Sequence, residues 1–127
     1  MTDATDVDGV VDTITKVRDL IRKKGNWTQA VLWRDEQGNI TQAREKAASF
    51  CIIGAISYIE WLKTPDSVAR FNQALAIIQE YVEEKVVCRY GGGRYYSLST
   101  FNDSVSHRRV ISVLNRCIKH LQDHRTH

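Results

Sequence analysis

Four stretches of the chain repeat their apolar residues at the spacing of an α-helix. The first places Val10, Ile14, Val17, Leu20 and Ile21 on one stripe; Lys23 and Lys24 follow in the last turn, and Gly25 stands as a C-terminal cap. The second, "REKAASFCIIGAISYIEWL", sets Phe50, Ile53, Ile56 or Ser57, and Trp61 on a face that Ile52, Ala55 and Ile59 widen. A run that is apolar nearly all round predicts the central, most buried helix. Gly54 in its middle costs ~1 kcal/mol relative to alanine, which points to another backbone passing close by. The third opens with Thr64 as N-cap, Pro65 at the first helical position and Asp66 in the first turn. Val68, Phe71, Ala74, Leu75, Ile78 and Val82 form its inner stripe, with Glu80, Glu83, Glu84 and Lys85 outside. The fourth carries Val110, Ile111, Val113, Leu114, Cys117, Ile118 and Leu121. Ser106 fits as its N-cap, and Val105 with Val110 fits the hydrophobic staple across that cap.

Between these helices the pattern changes. "WTQAVLWRDEQGNITQ" is rich in aromatic and β-branched residues and is cut by "DEQG", which predicts a short hairpin of Thr28–Arg34 with Asn39–Gln42. "VVCRYGGGRYYSLST" reads either as a turn between short extended segments or as a loop. Phe101, Asn102 and Asp103 fall before the last helix, in a loop where an Asx-type turn is the plain expectation. The fold class expected is α+β and mostly helical: four helices packed in one core with one or two short β-hairpins. Residues 1–127 read as one domain, with 1–8 a loose leader and 122–127 a frayed tail.

Composition narrows the class of protein without naming an activity. The chain has 127 residues, 43% hydrophobic and 26% charged, enough to bury a core without disulfides or metals. Asp3, Asp6, Asp8 and Asp12 make the start acidic, whereas Arg89, Arg94, Arg108, Arg109, Arg116, Lys119 and Arg125 make the end basic. The net charge of +3 is too mild to indicate nucleic acid by itself. Cys51, Cys88 and Cys117 show no Cys-x-x-Cys spacing, so no zinc or redox site is expected, and no cofactor or metal. The polar N-terminus is unlike a secretory signal, and "FCIIGAI" is far short of the ~18 apolar residues of a membrane span. A soluble cytoplasmic protein with free thiols is the expectation.

The pairing of Cys51, Gly54 and Ala55 in "CIIGAI" with Phe101, Asn102 and Asp103 in "FND" resembles a family of small, uncharacterised phage and bacterial proteins. The layout is similar over residues 10–121: an N-terminal helix, a tryptophan-containing stretch, a Cys-x-x-Gly-Ala segment, and an aromatic-Asn-Asp triplet before a last helix. The resemblance implies no established activity. It implies that Cys51, Gly54, Asn102 and Asp103 are spatially linked.

The residues themselves allow several chemistries. In the first turn of its helix Cys51 would have a lowered pKa, and His107 with Asn102 or Asp103 could complete a nucleophilic set for acyl transfer. The competing reading makes Cys51 a small buried hydrophobe and makes Asn102 and Asp103 a structural lock on the N–H groups of the central helix. His120, His124 and His127 share a helix face, but no carboxylate or cysteine is placed to complete a metal site except Asp123, on a neighbouring face. Arg89, Tyr90, Arg94, Tyr95 and Tyr96 interleave basic and aromatic side chains around three glycines, and Arg108 and Arg109 open the last helix. These residues would serve as a binding surface, for a protein first and for nucleic acid second. The reading that fits best is a small non-enzymatic interaction protein, with a phage accessory or anti-defence role following from the resemblance. A cysteine-dependent hydrolase or transferase using Cys51 and a nucleic-acid binder are the alternatives.

Overall fold

A computed structural model describes residues 7–61, 63–82 and 98–125. Among them the fold is mostly helical α+β: α1 (Val7–Ile21), β1 (Trp33–Arg34), β2 (Ser49–Phe50), α2 (Ile52–Glu60), α3 (Pro65–Tyr81), α4 (Leu98–Ser104) and α5 (His107–Arg125). Short 3-10 turns fall at Lys24–Asn26 and Arg44–Lys46.

α1 packs against α5, α2 and α3, and α2 packs against α1, α3 and α4. Ile14, Val17 and Ile21 of α1 are fully buried, as are Ile56 of α2, Ile78 of α3, Phe101 of α4, and Val110 and Leu114 of α5. Each such side chain contributes roughly 1.5–3 kcal/mol on leaving water. The stripes read from the sequence on α1 and α5 are therefore the faces that form the core. Capping follows the sequence at α3 and α5 but not at α1, which ends at Ile21, so that Lys23 and Lys24 lie beyond its last turn and Gly25 sits in the following 3-10 turn instead of capping the helix. Thr64 and Ser67 form a reciprocal capping box ahead of Pro65, and Ser106 Oγ accepts from Arg109 N at 3.2 Å.

Several expectations are corrected. The run "REKAASFCIIGAISYIEWL" is not one helix: it forms a 3-10 turn, then β2, and becomes α-helical only at Ile52. Phe50 thus lies on a strand, and Cys51 is the N-cap of α2, not a first-turn residue. Trp61, expected on the buried face, caps the C-terminus of α2 in the left-handed conformation (φ 53°) and is 37% exposed. The principal partner of β1 is not Asn39–Gln42 but β2, antiparallel, with Trp33 opposite Phe50 and Arg34 opposite Ser49. The hairpin survives as a single bridge between Arg34 and Ile40 around the Asp35–Asn39 turn. "FND" is not a loop but lies inside α4, so five helices stand among the described residues instead of four. Val68 is also 41% exposed, because the inner face of α3 runs through Ser67, Ala74 and Ile78.

Candidate functional site

Two neighbouring features arise where the tryptophan-containing segment 27–34 crosses α2. One is a polar lock and the other an apolar groove.

The lock starts from an obligation of every helix, whose first N–H groups lack partners within the helix. At α2 they are met in turn. Ile52 N donates to Asn102 Oδ1 at 3.1 Å, and Gly54 N donates to Cys51 Sγ at 3.2 Å. Cys51 N donates to Leu32 O at 3.2 Å. Asn102 is 1% exposed and its amide is saturated. Oδ1 also accepts from Trp27 Nε1 at 2.8 Å. Nδ2 donates to Thr28 O at 3.0 Å and to Asp103 Oδ1 at 3.1 Å. Asp103 Oδ1 in turn accepts from Ala30 N at 2.8 Å, where Ala30 takes a positive φ of 74°. Gln29 Nε2 closes the circuit by donating to Asn102 O at 3.0 Å. Gly54 lets the segment come this close: a Cβ there would lie 2.8 Å from the Leu32 carbonyl carbon. Trp33 Nε1 then donates to Gly54 O at 2.8 Å across the same approach.

The residues proposed as a nucleophilic set are thus partly together. Cys51 and Asp103 line a small cleft with Ser99 and Ala30. Burial pushes the Cys51 thiol up from its ordinary pKa, the hydrogen bonds from Gly54 and Ile53 N–H oppose this, and the Asp103 charge adds to the rise. The thiol is held in its protonated form, which is a poor nucleophile. His107 is engaged elsewhere. Its Nε2 bonds Ile21 O at 2.7 Å, which requires a proton on that nitrogen, and its ring lies 5.5 Å from that of Trp27. Arg108 is exposed and Arg109 half-buried at the start of α5. Arg89, Tyr90, Arg94, Tyr95 and Tyr96 lie outside the described residues, as do His127 and the side chain of His124. Among the described residues no cluster could hold a metal ion, and no helix is long and apolar enough to cross a membrane.

The groove was not anticipated. It encloses about 720 Å³ between the tryptophan segment and the end of α2, lined by Val31, Leu32, Trp33, Ile40, Thr41 and Trp61. Leu32 is 52% exposed and Ile40 65% exposed, so the lining is open to solvent. The Trp33 and Trp61 rings stack at 6.2 Å. Arg44 lies over the rings of both Tyr58 (4.2 Å) and Trp61 (4.9 Å) and donates through Nε and Nη2 to Tyr58 O. Lys63 Nζ stands 5.4 Å from the Trp61 ring. A left-handed tryptophan is the available signal of something retained for its side chain, because glycine or asparagine fits that backbone at lower cost. Sequence alone could not show it, since Trp61 falls on the apolar period of α2.

The fold and its locked tryptophan segment define a small helical α+β protein with a solvent-open apolar groove. The chain belongs to DUF6197, a family of unknown function, which it matches over residues 6–120. No curated protein and no solved structure matches it.

Proposed function

We propose that the protein acts by binding another protein, with the groove beside Trp61 as its docking surface. The observation that carries this reading is the cluster of exposed Leu32, Ile40 and Trp61 around one groove, with Arg44 stacked at its edge. Clustered exposed apolar side chains mark interaction sites, and tryptophan and arginine are the residues that dominate binding energy at interfaces. The positive φ of Trp61 adds support, because backbone strain concentrates where a side chain is needed for function. The cysteine-dependent alternative draws less support: the Cys51 thiol is held protonated and His107 bonds the Ile21 carbonyl. The resemblance of "CIIGAI" and "FND" to small phage and bacterial proteins is the support for a phage accessory or anti-defence role within this reading.

The test is site-specific photo-crosslinking in cells of the source organism, with the reactive residue at Ile40 or, as control, at Lys119 on the exposed face of α5. The expected result is one protein adduct from Ile40 that disappears in the Trp61→Ala background and is not formed from Lys119. Equal labelling from both positions, or none from Ile40, would remove the groove as the docking surface.

A further inference from the structure

One border of the groove is an unfinished sheet edge. Arg34 and Ile40 face each other across a bridge whose hydrogen bonds are made by their neighbours: Asp35 N donates to Asn39 O at 2.8 Å and Thr41 N donates to Trp33 O at 3.2 Å. In such a non-hydrogen-bonded pair, the N–H and C=O of the facing residues point away from each other. Those of Arg34 are turned toward β2, where Ala48 N donates to Arg34 O at 2.8 Å. Those of Ile40 are turned outward, and among the described residues neither has a partner. An open edge with an apolar side chain is a template for another strand, and natural edges are commonly blunted by a charge or a proline. Here the edge residue is instead isoleucine, 65% exposed, and it lines the groove.

Charge specifies the occupant further. The Arg44 guanidinium is directed at Tyr58 O near the C-terminal end of α2. Lys63 is exposed beside Trp61 and has no carboxylate partner among the described residues. Of the two acidic residues three positions from it, Glu60 pairs with Arg70 at 2.9 Å, and Asp66 stands exposed in the first turn of α3. A cation beside an indole at the groove edge is complementary to a carboxylate on whatever enters.

We infer that the groove receives an extended segment of the partner protein, added as a strand along Ile40, with apolar side chains against Leu32 and Trp61 and a carboxylate at Lys63. This rests on the docking reading above and names the chemistry of its partner. Backbone pairing with Ile40 supplies register, and the groove selects alternate side chains.

The experiment selects peptides from a random displayed library on the full chain, then measures the best peptide by titration and by an N-methyl scan of its backbone. The expected peptides alternate apolar residues and carry Asp or Glu. Their binding shifts the Ile40 amide resonance. N-methylation abolishes binding at the one residue whose N–H pairs with Ile40 O and is tolerated at its immediate neighbours. Lys63→Glu weakens binding by about tenfold, equivalent to ~1.4 kcal/mol, and a Lys-for-acid exchange in the peptide restores it. Peptides that lose binding to Ile40→Glu yet tolerate every N-methyl group, or bind as helices, overturn strand addition and leave the docking reading standing. Peptides indifferent to both Ile40→Glu and Trp61→Ala, or no enrichment at all, overturn both. A homodimer in sedimentation that Ile40→Glu dissociates would make a second copy of this chain the occupant and overturn the inference.

Discussion

Asn102 uses both lone pairs and both N–H groups of its side chain inside the protein, on the N-terminus of α2 and on the segment carrying Trp27 and Thr28. Removing it leaves a half-buried indole N–H, a helix-start N–H and a carbonyl without the partner it supplies. Asn102→Ala should therefore cost roughly 3 kcal/mol, read as a lowered denaturant midpoint at unchanged slope. Asn102→Asp should also destabilise, since it keeps the acceptor but sets a carboxylate oxygen against Thr28 O. Equal stability of the aspartate variant would show that the donated bonds contribute nothing. Trp61 poses the opposite case. Trp61→Gly relieves a left-handed φ worth roughly 1–2 kcal/mol while deleting the stack on Trp33. Unfolding should shift by less than ~1 kcal/mol while partner binding is lost. Loss of fold in this variant would mean that the indole is core, not surface.

At the scale of elements, α2 is the piece that others position. Its start is held by α4 through Asn102 and its flank by the tryptophan segment through Gly54. Its last turn is tied to α1 and α3 by Glu60, whose side chain is 6% exposed, accepts from Thr13 Oγ1 and pairs with Arg70. Gly54→Ala must push the Leu32 backbone away, and should destabilise by ~3 kcal/mol or more in thermal unfolding, above the cost of ordinary overpacking because backbone cannot rotate aside. An alanine tolerated there would mean that the segment does not sit against α2 in solution. The same contact explains the legibility of the glycine: its cost in a helix was visible in the sequence, but the backbone it admits, 22 residues upstream, was not.

For the molecule as a whole, the buried thiol of Cys117 on α5 couples folding to alkaline pH. Burial raises its pKa from 9.0 to about 11. Below pH 9 the thiol is protonated in both states and stability is unaffected. Between pH 9 and 11 the unfolded thiol ionises while the folded one stays neutral, so stability falls by roughly 2–3 kcal/mol. Replacing Cys117 with Val should flatten that part of a stability–pH curve measured by urea unfolding; an unchanged curve would assign the loss to other groups.

Periodicity and caps are local, and they were readable. Val10 through Ile21 and Val110 through Leu121 announce two core helices, and Thr64, Pro65 and Ser106 mark where two helices begin. Each signal arises from residues within a turn or two of one another, where backbone geometry alone sets the neighbours. The limits of α2 were not readable, because apolar content is shared by a buried strand and a buried helix, and Ser49–Phe50 pairs with a strand fifteen residues upstream. The roles of Asn102, Asp103, Trp61 and Ile40 depend on groups 6 to 75 residues away, such as Arg34 for Ile40 and Trp27 for Asn102. The sequence by itself determined the inner stripes of α1 and α5 and the starts of α3 and α5. Only the tertiary structure decided that a locked tryptophan segment would lie across α2 and leave an apolar groove with an unpaired edge, because those contacts exist only once distant segments are packed together.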